Sequence, residues 1–345
     1  MRRTNDALQQ DGAVSRAYRA PSHSENSDMR IALLDTPATA RFGDSAQDAL
    51  TRRGHDVHRG ASVVAAEASA VGRRLGEELR RGSAPPPDIY LAAGWEAGVA
   101  AHLAARTAPA PVAVRLIRPA RRPGTNEDLV ERELLRSSAR VLVASAGERD
   151  RLVSRGVARA SLAVVPEPVD TDTFTDRGPV VADDGDRRHR VGVAAPSDGS
   201  SRQVLLAGID SMPACHAVPV PEPADWTDTT PALLRSLDLL VVVDDTDAEV
   251  ATALAAMATG VPVVASDTGV LADLVADGVT GLLVGPGGTA AAIRSLLADA
   301  LGREGMGLAA VDRVRARFGQ DVVADALTHE LAAVVAPAED HAVAG

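Results

Sequence analysis

Short apolar runs alternate with amphipathic segments along most of the chain, and glycine-rich turns separate them. The clearest stretch covers residues 260–288. An apolar run over 261–265 leads through turn residues into a short helical pattern, and a second apolar run over 281–284 ends at a glycine cluster. Buried strands that alternate with helices predict a parallel α/β sheet. Because ligands bind at the carboxyl ends of the strands in such sheets, these turns predict a binding site.

The same alternation divides the whole chain into two α/β units. Predicted strands cover residues 29–35, 88–92, 111–117, 141–144 and 162–165, with a further strand beginning at 56. Predicted helices cover residues 44–53, 99–105, 126–137, 146–155 and 321–334. We therefore expect a first lobe over 29–175, a linker rich in Asp, Gly and Arg over 176–190, and a second, shortened lobe over 191–318. A closing helix over 319–335 and a tail over 336–345 complete the prediction.

Composition narrows the class of protein. A chain of 345 residues is long enough for two cores. Its net charge of −11 argues against nucleic acid or an anionic membrane as the main partner. The single cysteine, Cys215, excludes an internal disulfide and fits a reducing compartment. No apolar run approaches the roughly 20 residues that span a bilayer, and residues 1–28 lack the apolar core of a signal peptide. We expect a cytoplasmic protein whose residues 1–28 are a disordered tail or an over-called start.

Lysine is absent, so every fixed basic side chain is an arginine. The bias towards arginine and alanine is typical of a GC-rich genome. It nevertheless rules out any mechanism that requires a Schiff-base lysine or a Walker lysine.

Specific sequence motifs in the second half of the chain resemble those of a known family. The residues that align with the motifs of that family are Ala256-Met257-Ala258, Gly260, Pro262 to Ser266, Gly269, Asp277-Gly278, Thr280-Gly281 and Gly285-Pro286. They match E-G-F-G-x-x-x-x-E-A-M, G-x-P-V-V-A-S-x-x-G-G and D-G-x-T-G-x-L-V-x-P, which are typical of the donor lobe of retaining GT-B glycosyltransferases of the group 1, family 4-like type. Residues 52–57 and 161–174 resemble the second-strand entry and the lobe boundary of the same family. The resemblance covers roughly residues 29–335.

The resemblance implies both a fold and an activity. It implies a GT-B architecture of two Rossmann-like lobes with parallel sheets and a cleft between them, and a last helix that crosses back onto the first lobe. The implied reaction transfers a sugar from a nucleotide-sugar co-substrate to an acceptor hydroxyl with retention, without another cofactor and without a metal. Asp247 takes the position of the catalytic carboxylate. The implied donor-binding positions are Gly192, Arg202, Ala248, Glu249, Val250, Leu254, Ala255 and Gly269.

The donor motifs are degenerate at several of these positions. Ala255 replaces the second glutamate of the family's pair, and Ala248-Glu249-Val250 replaces its Gly-Phe-Gly. A shifted register would make Glu249 the catalytic carboxylate, but it would take Ala256-Met257 out of frame. The family's phosphate-binding arginine and lysine have no counterpart at the start of the second lobe, where Arg202 is the nearest substitute. The short stretch over 192–238 predicts that a βα unit of the family is missing and that the donor site is reduced.

The first lobe offers an arginine cluster as its candidate chemistry. Arg115, Arg118, Arg121 and Arg122 follow one predicted strand and could bind an anionic group, although a solvated face is the more common meaning of such a run. Trp95 is a further candidate on this side of the cleft, while core packing explains it equally well. The histidines lack metal-ligand spacing.

Three hypotheses remain open at this stage. The first is an active glycosyltransferase in which an arginine replaces the lost phosphate cations. The second is a catalytically silent relative that serves as a partner or regulatory subunit. The third, a sugar- or nucleotide-binding module without transfer, lies between them.

Overall fold

A computed structural model describes residues 28–82, 85–116, 126–181, 188–196 and 200–336. The predicted tail over 1–28 lies outside this part of the chain except for Asp28. The candidate arginines Arg118, Arg121 and Arg122, much of the predicted linker and residues 337–345 also lie outside it.

The first lobe is built on a six-stranded parallel sheet with the order β2-β1-β3-β4-β5-β6. The central strand β3 is buried along its whole length, because helices cover both faces of the sheet. Its strands are β1 (Arg30–Leu34), β2 (Asp56–Arg59), β3 (Ile89–Ala93), β4 (Val112–Arg115), β5 (Arg140–Val143) and β6 (Leu162–Val164). The helices are α1 (Ala40–Arg52), α2 (Ala68–Arg80), α3 (Trp95–Ala105), α4 (Asn126–Ser137) and α5 (Ala146–Ser154).

The second lobe contains a five-stranded parallel sheet with the order β11-β10-β9-β7-β8. Its strands are β7 (His189–Ala194), β8 (Cys215–Pro219), β9 (Leu239–Val242), β10 (Val263–Ser266) and β11 (Gly281–Val284). Its helices are α6 (Ser200–Asp210), α7 (Thr230–Arg235), α8 (Asp247–Ala258), α9 (Gly269–Leu274), α10 (Thr289–Ala298) and α11 (Ala300–Arg317). Two parallel α/β lobes are therefore present, as the apolar pattern predicts.

The predicted elements differ from the observed ones mainly at their ends. The strand predicted over 261–265 begins two residues later, at Val263. The turn at Gly260 has a φ of 82°, and Pro262 has no N–H to donate to the neighbouring strand. Helix α2 is absent from the prediction, and so is strand β8, an edge strand in which Pro219 interrupts the apolar run.

The last helix, α12 (Gln320–Val335), packs against the first lobe although it follows the second lobe in sequence. Val323, Leu327 and Leu331 belong to the same buried cluster as the strands of the first sheet. The Arg53 guanidinium binds the Asp325 carboxylate at 2.7 Å and ties α12 to the end of α1. The second lobe is thus anchored to the first at both ends of its chain.

None of the helices in the described ranges combines the length and the apolar character that crossing a bilayer requires.

Candidate functional site

The carboxyl ends of the two sheets meet at one cleft. In each sheet the strand order reverses beside the first strand of the lobe, between β1 and β3 in the first lobe and between β7 and β9 in the second. Such switch points are where open α/β sheets bind ligands, because the loops on either side diverge and leave a crevice. The topology therefore brings two potential binding crevices together in one cleft.

A small cavity lies in this cleft and both lobes line it. Its walls are Arg115, Leu116, Ala144, Glu148 and Glu167 from the first lobe, and Asp247, Val250 and Val270 from the second. Its interior measures about 10 Å³, roughly the room that one water molecule needs. The lobes are thus in close contact at this cavity, an arrangement called closed below, and a ligand larger than water does not fit inside the cavity itself.

Asp247 is the first residue of α8 and reaches the cleft from the second lobe. Its side chain is exposed, and it forms no hydrogen bond or ion pair with the other described residues. A carboxylate at the positive end of a helix is stabilised there without a counter-charge. The position therefore offers an open acceptor to a hydroxyl-bearing ligand.

Glu249 lies two residues further along α8 in a very different environment. Its side chain is 3% exposed, and within the described chain Oε2 has no hydrogen-bond partner. Burial, assisted by the negative charges of Asp244 and Glu222, raises the pKa of Glu249 to about 7, although its own backbone N–H and Arg202 act in the opposite direction. Glu249 therefore exchanges a proton near neutral pH.

Arg202 lies on the first turn of α6 and is committed to the backbone. Its guanidinium donates to the carbonyl oxygens of Ala195, at 3.0 Å, and Val220, at 2.9 Å, just beyond the ends of β7 and β8. The side chain thus joins the loops that follow two neighbouring strands. The prediction of Arg202 as a substitute phosphate ligand places it at the correct edge of the sheet, but two of its donors are already in use.

Arg115 ends β4 and is 2% exposed. Nη1 donates to the carbonyl oxygen of Val165, and Nη2 lies 3.6 Å from Oε2 of Glu167. Burial raises the pKa of Glu167, and Asp247 adds to this effect, while Arg115 and Arg41 lower it. The first lobe therefore presents a buried ion pair to the cleft instead of the free cation that the sequence suggested.

Comparison with known proteins agrees with this architecture. Residues 203–299 match the family model described as glycosyl transferases group 1. Sucrose-phosphate synthase from Thermosynechococcus elongatus superposes with a TM-score of 0.68 at 17% identity, covering 86% of this chain and 96% of that one. HepE of Anabaena, in complex with UDP-glucose, superposes with a TM-score of 0.65 at 15% identity, covering 88% of this chain and 100% of that one. A glycosyltransferase from Rickettsia africae superposes with a TM-score of 0.68 at 11% identity, covering 90% of this chain and 99% of that one. Comparison with curated protein sequences gave no match.

The chain has the GT-B fold. The fold that the motif resemblance implies is confirmed. The residues that match the family model lie in the second lobe, and Asp247 is on that lobe's side of the cleft.

Three of the predicted donor-binding residues lie in the core instead. Leu254 and Ala255 are 1% and 0% exposed and pack inside the second lobe. Gly192 is in the middle of β7, where a Cβ atom would crowd Leu237, Leu240 and Val220. These positions are explained by packing and offer no surface to a ligand.

The other predicted positions lie nearer the cleft. Val250 lines the cavity and also packs in the core. Ala248, beside Asp247, accepts a hydrogen bond from the Thr252 hydroxyl through its carbonyl oxygen. Gly269 begins α9 with a φ of 58° and is exposed just beyond β10. Trp95 begins α3 and packs against the first-lobe core. Their roles in donor or acceptor binding stay predictions.

The sequence interpretation missed three charged residues in or beside the cleft, Glu148, Glu167 and Arg41. Glu167 stands where the family's lobe-boundary motif has an asparagine, so its departure from the motif was the available signal. Arg41 follows the first strand, at the predicted ligand edge, where the family has a glycine-rich turn. No local pattern distinguished it from a solvated helix arginine.

Proposed function

We propose that this protein transfers a sugar from a nucleotide-sugar donor to an acceptor hydroxyl in the cleft between its lobes. The observation that carries the proposal is the placement of Asp247, a carboxylate at the cleft edge of the second lobe that has no hydrogen-bond or ion-pair partner among the described residues. A carboxylate accepts hydrogen bonds from the vicinal hydroxyls of a sugar. The match to the group 1 family model and the UDP-glucose complex of HepE support a nucleotide sugar as the donor class.

The proposed reaction follows from that donor class. The bond between the anomeric carbon and the leaving phosphate oxygen breaks, and the acceptor oxygen bonds to the anomeric carbon. The acceptor proton leaves on the nucleoside diphosphate. We propose retention of configuration because the motifs resemble those of retaining enzymes, and NMR of the product anomer tests that part separately. The cytoplasm is the proposed location, since the single buried Cys215 suits a reducing compartment.

The competing function, a catalytically silent partner or regulatory subunit, is favoured by a different observation. Arg202 is bound to backbone carbonyls, so it does not replace the family's phosphate-binding cation. Ala255 is in the core and has no carboxylate, so it does not replace the second glutamate of the family's pair. Losing one preorganised charge contact costs about 10²–10³ in rate. Activity therefore requires that another cation serve the leaving group.

The test combines thermal unfolding with an assay for nucleotide release. The wild-type protein is melted with UDP, GDP, ADP and their common sugar conjugates, and a ligand at 100 times its Kd adds about 2.7 kcal/mol of stability. We expect one nucleotide series to raise Tm and its sugar conjugate to release nucleoside diphosphate. Asp247→Asn should lower the release rate about 100-fold.

A matched control separates chemistry from helix stability. Asp321 also lies on the first turn of a helix, α12, away from the cleft, so Asp321→Asn loses the same helix-end charge. Its release rate should equal that of the wild type. If no nucleotide or nucleotide sugar raises the Tm of the folded wild-type protein, the enzyme proposal is overturned and the silent-partner function is favoured.

A further inference from the structure

Arg41 crosses the cleft from the first lobe to the second. It lies on the first turn of α1, soon after the carboxyl end of β1 and therefore at the switch point of the first sheet. Its guanidinium carbon is 5.3 Å from the centre of the Trp226 ring, which follows β8 in the second lobe. A single arginine thus connects the ligand-binding edges of both sheets.

The Trp226 ring is a fixed platform for this arginine. Its Nε1–H donates to the carbonyl oxygen of Pro221 at 3.1 Å. The ring of Phe174 packs against it edge to face, with centroids 4.8 Å apart. A guanidinium over an indole gains cation–π attraction through its face and keeps its N–H groups at the rim. Those N–H groups form the fork that binds two phosphate oxygens at once.

Within the described residues, Arg41 also differs from Arg115 and Arg202 in having its donors open. Arg202 donates to two backbone carbonyls, and Arg115 is engaged with Val165 and Glu167. Arg41 forms no hydrogen bond or ion pair with any residue of the described ranges, and its side chain is exposed. Burial lowers the pKa of Arg41, while the nearby charges of Glu167 and Asp247 raise it. An open cation next to Asp247 is where the leaving group of a donor held by Asp247 would lie.

We propose that Arg41 binds the diphosphate of the donor, so that the first lobe supplies the cation that the second lobe lacks. The inference rests on the proposed function and identifies the leaving-group ligand of the same site. Trp226 positions Arg41, and separation of the lobes withdraws the cation from the phosphates. Closure of the cleft would therefore be coupled to the presence of a diphosphate, because the cation and the sugar carboxylate come from opposite lobes.

The experiment measures how much the diphosphate adds to binding. Isothermal titration of the full chain compares UDP, GDP and ADP with uridine, guanosine and adenosine. In the wild type the preferred nucleoside diphosphate should bind more tightly than its nucleoside. Arg41→Met should weaken binding of the nucleoside diphosphate by about 10- to 100-fold, which is the range for loss of a hydrogen bond to a charged group. It should leave binding of the nucleoside unchanged. Arg41→Lys keeps the charge but loses the forked pair of donors, so its affinity for the diphosphate should lie between those of the wild type and Arg41→Met.

The matched control is Arg52→Met, which removes the same charge from an exposed arginine at the far end of the same helix. Diphosphate binding should be unchanged in that variant. If Arg41→Met keeps the full diphosphate increment, or loses nucleoside and diphosphate binding equally, the role of Arg41 is overturned while the proposed function stands. If the wild type binds no nucleotide, the proposed function itself fails. Circular dichroism confirms that each variant is folded.

Discussion

Two acidic side chains on the first turn of α8 show how strongly position decides chemistry at the scale of single residues. Asp247 is exposed at the helix end, whereas Glu249 is 3% exposed and has an unpaired Oε2 within the described residues. A buried carboxylate with an unpaired oxygen is costly, so Glu249 favours its protonated form. One residue thus offers an exposed carboxylate to the cleft, and the pKa of the other is raised to about 7 by burial.

The burial of Glu249 predicts a pH-dependent stability. Its pKa rises from an ordinary value of 4.5 to about 7 on folding, because burial and the charges of Asp244 and Glu222 outweigh Arg202 and its own backbone N–H. Between those pH values the folded state binds more protons than the unfolded state, so its stability falls as the pH rises. Glu249→Gln removes this proton linkage. Its free energy of unfolding, relative to wild type, should increase by about 2.5 kcal/mol between pH 5 and pH 8.

Urea titrations at pH 5, 6, 7 and 8 measure the difference. Glu133→Gln, on an exposed face of α4, is the matched control and should follow the wild type at every pH. A Glu249→Gln difference that stays constant from pH 5 to pH 8 would contradict the assigned protonation of Glu249.

At the scale of elements, helix α11 lies so close to the turn after α8 that only a glycine fits at their contact. A Cβ atom on Gly307 would collide with the carbonyl oxygen of Gly260, whose own φ of 82° fixes the turn before β10. Gly305, two residues earlier on the same helix, has open space around its Cβ direction. Gly307 is therefore required by close packing, whereas the space around Gly305 would accept a larger residue.

The same substitution at these two glycines should have opposite effects. Gly307→Ala should destabilise the protein by about 1–3 kcal/mol, because neither backbone can move without disturbing the lobe core. Gly305→Ala should stabilise it by about 0.5–1 kcal/mol, because alanine favours the helix. Thermal and urea unfolding measure both. Equal signs for the two variants would show that the approach of α11 to Gly260 does not constrain the lobe.

The sequence is most informative where burial alone decides the element. Strands such as β3, apolar along its whole length, were predicted to within a residue, because a buried parallel strand has no other pattern. Edge strand β8 and helix α2 were missed, since tertiary contacts outweigh a weak local signal there. The candidate site was predicted only in part. Motif register located Asp247, but the engagement of Arg115 and Arg202 and the reach of Arg41 depend on contacts between residues far apart in sequence.

At the scale of the whole molecule, a few polar contacts hold the two lobes together beside the cleft. The backbone N–H of Gly147, on the first turn of α5, donates to the Asp273 carboxylate of α9 at 2.8 Å. This contact places a negative charge from one lobe at the positive end of a helix in the other, which stabilises the closed arrangement.

Asp273→Ala should therefore shift the ligand-free protein towards the open arrangement. Loss of a charged hydrogen bond of about 1.5–3 kcal/mol changes the ratio of open to closed molecules by roughly 10- to 150-fold. Small-angle X-ray scattering should show a larger radius of gyration for Asp273→Ala than for the wild type. The control, Asp267→Ala, removes an exposed carboxylate of the same lobe that forms no hydrogen bond or ion pair with another described residue, and it should leave the radius unchanged. Identical radii for all three proteins would mean that the Gly147–Asp273 contact does not set the balance between the lobes, and other contacts across the cleft, including Arg41 with Trp226, would then have to hold it closed.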